Sequence, residues 1–586
     1  MTLLPVTLDG RDYLLDVASY QRATVQPNRD QADTAGEYGE NSITPDDLWR
    51  RSQTDWRLGA GQRWLDKDPP EAEERRRFAE SRGIDCWERG ELTLLRDVEQ
   101  ILSTGEERPQ LLVVDDRLWM IDDDRLAYTD DGVSWGETDP FVERVRSIAT
   151  DGTQVYAAVR DEAGSSGGVY KVAKGLLTPV LVNTVIPDLV AYVKGRLMVA
   201  AGPDLYNIVD PADTTPPAPL TPTAIVTDWE WTAFAETGAF ILIAGRAGDQ
   251  SAVYRITIRQ DGSELQPPSV AAPLPAGEVI HSLAGYVGMV AIGTNLGLRI
   301  GMMDGGELRY GSYREVGPVR DLEAQGRFVW FTWDEPHDGT AGLGRADLST
   351  FLPGREFEAP YASDLLAESF SAPYSVATWD GKRVFSLAGD GVYVESDDYL
   401  AEGWIRSGDA TFGLPDRKVL EYLQVRTDEL PDGASVEWQV DVDGETTSGL
   451  LTDGTGSDPE EHLGGMVGDL ASWKLTLAQE QGEPPIVTRV TMRAAPVARP
   501  VMQHVLPLVL RPSIRFAGRS YHYDVETELA ALEELWRVGE PVTLRLFGVN
   551  RRVFLQGVQI GDQWDYIDVS GMQGTVGVLV KEYGLA

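Results

Sequence analysis

Five histidines are spread through the 586 residues, at His281, His337, His462, His504 and His522. None lies within four positions of another, so the chain carries no HxH or HExxH zinc pair. The single cysteine, Cys86, excludes an intrachain disulfide and any CxxC motif. No histidine lies within a hundred positions of it, so the thiol reads as a small buried apolar residue rather than a nucleophile. The five imidazoles read as surface or loop residues. Gly293 to Gly301 (GTNLGLRIG) is glycine-rich, but it sits in a strand pattern with no helix N-terminus to offer a phosphate. Asp441-Val442-Asp443-Gly444 opens like a calcium loop yet lacks the third acid and the closing Glu. A solvated hairpin turn is the reading there, and Asp122-Asp123-Asp124 reads the same way. No metal site, cofactor or catalytic residue is assigned.

Two patterns could still meet a sugar. Glycoside cleavage needs two carboxylates about 5 to 9 Å apart, and 93 Asp and Glu supply such pairs by chance. A sialidase-like site also needs several arginines to clamp a substrate carboxylate. Arg160, Arg246, Arg255, Arg299, Arg320 and Arg345 occupy the middle of the chain, but at no repeated offset. Trp229, Trp231 and Trp333 fall in loop-like stretches and are candidate receptor-contact aromatics, with core or rim packing as the competing reading.

The elements that would position these groups are almost all strands. At about 150 residues per domain the length suggests three or four domains. The charge is 52 − 93 = −41 and the pI near 4.4, which repels phosphate backbones and anionic lipid and argues against nucleic-acid binding. No basic-then-apolar leader opens the chain and no apolar run reaches 18 residues, so neither a signal peptide nor membrane insertion is expected. Synthesis in a cytoplasm is expected.

Residues 1–20 alternate apolar and polar around Asp9-Gly10, which predicts a hairpin. Residues 21–47 are polar and predict an extended arm without a core; 71–80 (EAEERRRFAE) predicts two or three helical turns. Trp49, Trp56 and Trp64 along the arm are candidate docking anchors.

A loose repeat then starts at Leu111, Ile148, Leu189, Thr232, His281, Arg320 and Tyr374, at spacings of 37, 41, 43, 49, 39 and 54. Each copy has a turn such as Asp151-Gly152 or Lys194-Gly195, then an apolar strand such as VYAAV or FILIAG. That period fits a four-stranded propeller blade, and seven copies predict seven blades over 95–403. Either Glu91–Leu95 or Trp404–Phe412 would complete the last blade. Tyr128 to Trp135 (YTDDGVSW) places Asp130, Gly132, Ser134 and Trp135 at Asp-box spacing, the Asp capping the turn and Trp packing beneath it.

Residues 404–497 predict a jelly-roll-like β-sandwich. Residues 498–586 predict a small α+β domain, whose helix Val525 to Val538 carries Leu529, Leu532, Leu535 and Trp536 on one face and stops at Gly539. From 496 onward 9 basic face 10 acidic residues, so this segment is nearly neutral and suited, with Leu532, Leu535 and Trp536, to dock on a neighbour. The fold class is all-β and multidomain, with residues 1–94 as hairpin and arm.

The stretch LWRRSQTDWRLGAGQRWLD (Leu48 to Asp66) and RRRFAESRGIDCWERGELTLL (Arg75 to Leu95) resembles the N-terminal signature of a minor tail protein family of actinobacterial siphophages. The matching features are Ser52 to Asp55, Gly59-Ala60-Gly61-Gln62, Asp66, Arg77-Phe78, Ser81, Gly83-Ile84-Asp85 and Trp87. YHYDVETELAALEELWRVGEPVTL, from Tyr521, resembles the strand–helix–strand unit of these proteins at the tail tip. The resemblance implies the order arm, propeller, sandwich, compact C-terminal domain, and a structural protein of the virion tail. Its expected partners are other tail-tip proteins, copies of itself as a trimer, and a host cell-wall glycan. A propeller-based glycan-degrading enzyme and a non-viral carbohydrate-binding module are the alternatives. Whether the arm lays its tryptophans on a neighbour or wraps its own propeller stays open.

Overall fold

A computed structural model describes residues 2–25, 50–64, 77–220, 228–259, 264–315, 317–335, 340–352, 355–364, 372–412, 417–452, 459–480, 482–496, 501–560, 565–567 and 571–582. The protein is all-β and multidomain; among the described residues one α-helix interrupts the strands. The chain divides into two compact units. One holds Leu94–Ala401 with Arg82–Ile84, the other Met1–Ser81, Asp85–Thr93 and Glu402–Ala586.

The first unit has the organisation of a β-propeller. Among the described residues, seven antiparallel sheets of three to five strands succeed one another along the chain. Their first strands are Leu111–Val114, Val145–Thr150, Leu189–Val193, Glu230–Glu236, Ile280–Tyr286, Leu322–Gln325 and Pro373–Trp379. Each packs beside the first strand of the next sheet, and that of the seventh returns to that of the first. Each junction between successive sheets holds its own apolar cluster. Trp119 and Val145 meet at the first, Met198 and Trp231 at the third, and Leu118 and Val384 at the last. A sheet covered on both faces needs apolar residues without alternation, which explains second strands such as Phe240–Ala247 (FILIAGRA).

The closing strand differs from both expected ones. It is Arg96–Ser103, which pairs with Gly391–Tyr399, Leu102 opposite Val392 and Arg96 opposite Tyr399. A strand from before the repeat thus becomes the fourth and outermost strand of the last sheet.

In the second unit, one sheet orders Glu445–Thr452, Ala434–Val442, Ala471–Gln479 and Glu402–Arg406. Another orders Arg50–Gln53, Val487–Pro496, Lys418–Thr427 and Glu460–His462. Arg50–Gln53 belongs to the stretch expected to be a free arm; its Ser52 hydroxyl meets Thr491 at 2.9 Å. Residues 26–49 and 71–76 lie outside the described residues; of the expected helical turns, Glu80 instead begins a strand.

The C-terminal domain is also corrected. Strands Val501–Leu510, Arg11–Asp16, Leu3–Leu8, Val542–Leu546, Val549–Ile560 and Gly571–Glu582 pair in that order, and the last pairs back to the first. This is a closed six-stranded barrel, not a self-contained α+β unit, and two of its strands come from the chain's start. The hairpin forms as expected, with Asp9 at φ 49° and Gly10 at φ 77° in a two-residue turn. It joins the barrel through Leu8 opposite Leu544 and Leu15 opposite Leu508. Val6, Leu8, Tyr13 and Leu15 share its core with Leu506, Leu544, Val578 and Leu532. Gln21–Val25 adds to the edge of Val501–Leu510, and the Tyr20 hydroxyl meets His504 Nδ1 at 2.7 Å. The helix spans Val525–Val538, capped by Asp524 and ended at Gly539 with φ 67°.

Candidate functional site

The first strands of four sheets carry the same irregularity near their start. Pairing with the second strand skips Arg146 between Val145 and Ser147, Thr232 between Trp231 and Ala233, His281 between Ile280 and Ser282, and Tyr374 between Pro373 and Ser375. A bulged residue leaves the alternating pattern of its strand and its side chain is re-aimed. The residue after three of the bulges is a serine, and two of these serines tie one sheet to another. Ser147 Oγ accepts from the Val190 N–H (2.9 Å), and Ser375 Oγ accepts from the Leu111 N–H (3.1 Å) and donates to Asp321 (2.6 Å).

Charged groups from these strand beginnings and the loops before them act on one another across sheets. His281 feels Arg320 and Arg246; Tyr374 feels Arg108, Asp321, Arg320 and Glu106; Arg146 feels Arg160, Arg108, Arg144 and Glu162. Arg246 pairs with Glu230 at 3.2 Å, Arg160 with Asp188, and Arg320 with Asp334 at 3.7 Å. Arg108 and Arg146 have no carboxylate partner among the described residues, and Arg146 Nε is buried without a hydrogen bond. Three of the five arginines at this end are thus paired with carboxylates, and Arg108 and Arg146 are not.

Burial, reinforced by the Asp321 carboxylate, pushes the Glu323 carboxyl up to about 7. Burial, reinforced by Arg320 and Arg246, holds the His281 imidazole down at about 4. These shifts act on stability in opposite senses. Folded Glu323 keeps a proton the unfolded chain has lost, so its contribution falls as pH rises from 4.5 to about 7. Folded His281 refuses a proton the unfolded chain takes up, so its contribution falls as pH drops from 6.5 to about 4. Glu323→Gln is therefore expected to stabilise the protein by about 2–3 kcal/mol near pH 8 and by almost nothing near pH 4. Urea midpoints at the two pH values check it, and equal effects at both would contradict it.

The structure sorts the expected site residues. Arg160, Arg246 and Arg320 gather at this end, whereas Arg299 is buried against Glu278, Arg345 against Asp364, and Arg255 bonds Ser269. Trp229, Trp231 and Trp333 are 7%, 5% and 1% exposed, so they offer no face to a sugar. Trp229 and Trp231 pack edge-on with Tyr254, and Trp333 stacks under Arg82. Trp49 lies outside the described residues. Trp56 is wholly buried, Trp64 is half-buried and donates to Glu540 at 3.0 Å, and Leu532 fills the barrel core. Leu535 is partly buried there, and Trp536 keeps about half its surface open. Two histidines depart from the surface reading: His281, and His504, which is 1% exposed with Nε2 at 2.9 Å from Glu582. His337 lies outside the described residues.

The turns that resembled ion loops are structural. Gly444 N–H bonds Asp441, and Asp443 (φ 53°) accepts from the Asp469 and Leu470 N–H groups. In the Asp-box the capping acid is Asp131, which accepts from Val133 and Ser134; Asp130 instead pairs with Arg117. Trp135 Nε1 reaches Ile101 O on the closing strand at 2.9 Å.

Fold and site together define a multidomain all-β protein that carries a β-propeller. No family model matches the sequence, and no curated protein matches it. Among solved structures, the computationally designed Ika8 protein aligns at 13% identity over 51% of this chain and 98% of its own, TM-score 0.36. The Dos1 propeller aligns at 10% over 52% and 89%, TM-score 0.34. BamB from Moraxella catarrhalis aligns at 11% over 51% and 97%, TM-score 0.34.

Proposed function

We propose that the chain is a structural protein of a phage tail, in which the seven sheets are the blades of one closed propeller that recognises the host surface. The sheets that residues 402–496 build with Arg50–Gln53 and Glu80–Arg82 form a sandwich, and the barrel is the platform that docks on other tail-tip proteins and on copies of the chain. The observation that carries this reading is the chain's path. The propeller is an insertion between two segments of one β unit, entering after Thr93 and leaving before Glu402. A rigid module tethered at both ends suits presentation of a binding face. The barrel segments support the docking half: 1–25 hold 2 basic and 3 acidic residues and 496–586 hold 9 and 10, a total of −2 out of −41. A nearly neutral surface is covered with less desolvation cost than an acidic one. Localisation in the virion tail follows.

Incubation of the purified chain with host cell walls tests the recognition role. Saturable sedimentation with the walls and no release of reducing ends is the expected outcome. Release of reducing ends would overturn this reading in favour of a glycan hydrolase; absence of any binding would remove the recognition role.

A further inference from the structure

We propose that the end of the ring where the four bulges lie is a binding site for an oxyanion group, carboxylate or phosphate, on a surface polymer. Arg108, Arg146 and Arg320 would hold its charge, with His281 and Tyr374 as neutral hydrogen-bonding groups beside it. The inference rests on the propeller being the recognition element and adds the chemistry of what it recognises.

Three observations carry it. The bulges at Arg146, Thr232, His281 and Tyr374 recur at one level of the ring, whereas the first and sixth sheets keep regular pairing at that step of their first strands. Recurrent bulges of this kind cost ladder hydrogen bonds and re-aim side chains out of the blade faces. Next, polar atoms at this end are left unmet: Arg146 Nε, Arg160 Nε, Thr232 Oγ1 and Ser282 Oγ are buried without hydrogen-bond partners among the described residues. Buried polar atoms without partners are costly, and Arg146 is only partly buried, so the rest of its guanidinium is open to an anion. Finally, Arg108 and Arg146 lie near one another and neither makes an ion pair among the described residues, although Glu162 acts on Arg146 at longer range. Cations left unpaired in such surroundings await an external anion.

The register of the seventh sheet fixes which of its ends carries the bulge. Pro373 lies opposite Leu387, Leu387 opposite Gly391, and Gly391 opposite Ser103, so the bulge end of the seventh sheet is the Ser103 end. Arg96 and Tyr399, through which the chain enters and leaves the sheets, pair at the other end.

Calorimetry on the full chain at low salt tests this, with glucuronate as the carboxylate probe, glycerol 3-phosphate as the phosphate probe and glucose as the neutral control. One or both anions should bind saturably at a single site, and glucose should not; which anion binds identifies the source of the charge. Arg108→Gln with Arg146→Gln should weaken binding at least about tenfold, while Arg255→Gln, outside the site, should leave it unchanged. In the wild-type chain the His281 imidazole should titrate at higher pH with the anion bound, a readout that needs no variant to fold. No saturable binding of either anion, or unchanged affinity in the double variant, would overturn the proposal. Wall binding without anion binding would remove this inference alone; anion binding by a chain that ignores host walls would remove the recognition reading alone.

Discussion

Deletion of residues 1–25 should unfold the C-terminal barrel and leave the propeller folded. The deletion removes two of six staves and the edge strand beside Tyr20. Val6, Leu8, Tyr13, Leu14 and Leu15 are all buried. At about 1.5–3 kcal/mol each, their loss amounts to about 7–15 kcal/mol, as large as the whole stability of an ordinary domain. The two flanking strands, Val501–Leu510 and Val542–Leu546, would also lose pairing partners on one side. Amide exchange should show Leu506, Leu544 and Val578 unprotected while Val159 and Leu242 stay protected. Protection retained throughout the barrel would contradict the topology. The same reasoning changes how the platform must be removed. Cutting at Pro496 alone would leave the hairpin with an exposed apolar face, so a docking test has to remove both chain ends together.

Glu278→Ala should cost about 3–5 kcal/mol, because it leaves a buried guanidinium without its counter-charge. Glu278 accepts from Arg299 through both oxygens, at 2.7 and 2.6 Å, and Arg299 also donates to the Gly311 carbonyl at 2.6 Å. The two side chains are 1% and 8% exposed, and Tyr310 and Tyr313 flank the guanidinium. Replacing the pair together, Glu278→Leu with Arg299→Met, should recover much of that loss, since no charge is then stranded. Urea unfolding of the two variants measures both effects. A single variant within about 1 kcal/mol of wild type would mean that the pair is wetter than its burial indicates.

The propeller was legible because its signals are local. Two-residue turns such as Asp115-Asp116 and Lys194-Gly195 adopt the positive φ their residue types allow, and the doubly covered strands lack alternation. The hairpin at Asp9-Gly10 and the helix from Val525 to Gly539 were legible for the same reason. The barrel was not, since pairing Leu15 with Leu508 leaves no trace in either segment. Tryptophans misled because a ring's residue type does not say which way it faces: Trp56 and Trp333 are core, while Trp536 is half open. The candidate site had a signal that repeat spacing alone passed over. Arg146-Ser-Ile-Ala, His281-Ser-Leu-Ala and Tyr374-Ser-Val-Ala are three copies of one pattern, a variable polar residue before Ser, an apolar residue and Ala. The variable position is the bulge. Arg108 precedes its strand and carries no such mark.

A density map of the tail tip at residue resolution tests the central claim most directly. The account predicts the barrel, built from residues 2–25 and 501–582, against neighbouring tail proteins, with the bulge end of the propeller free to face the host. A tail tip lacking this chain, or one in which the Arg108, Arg146 and Arg320 end is sealed against another tail protein, would contradict it.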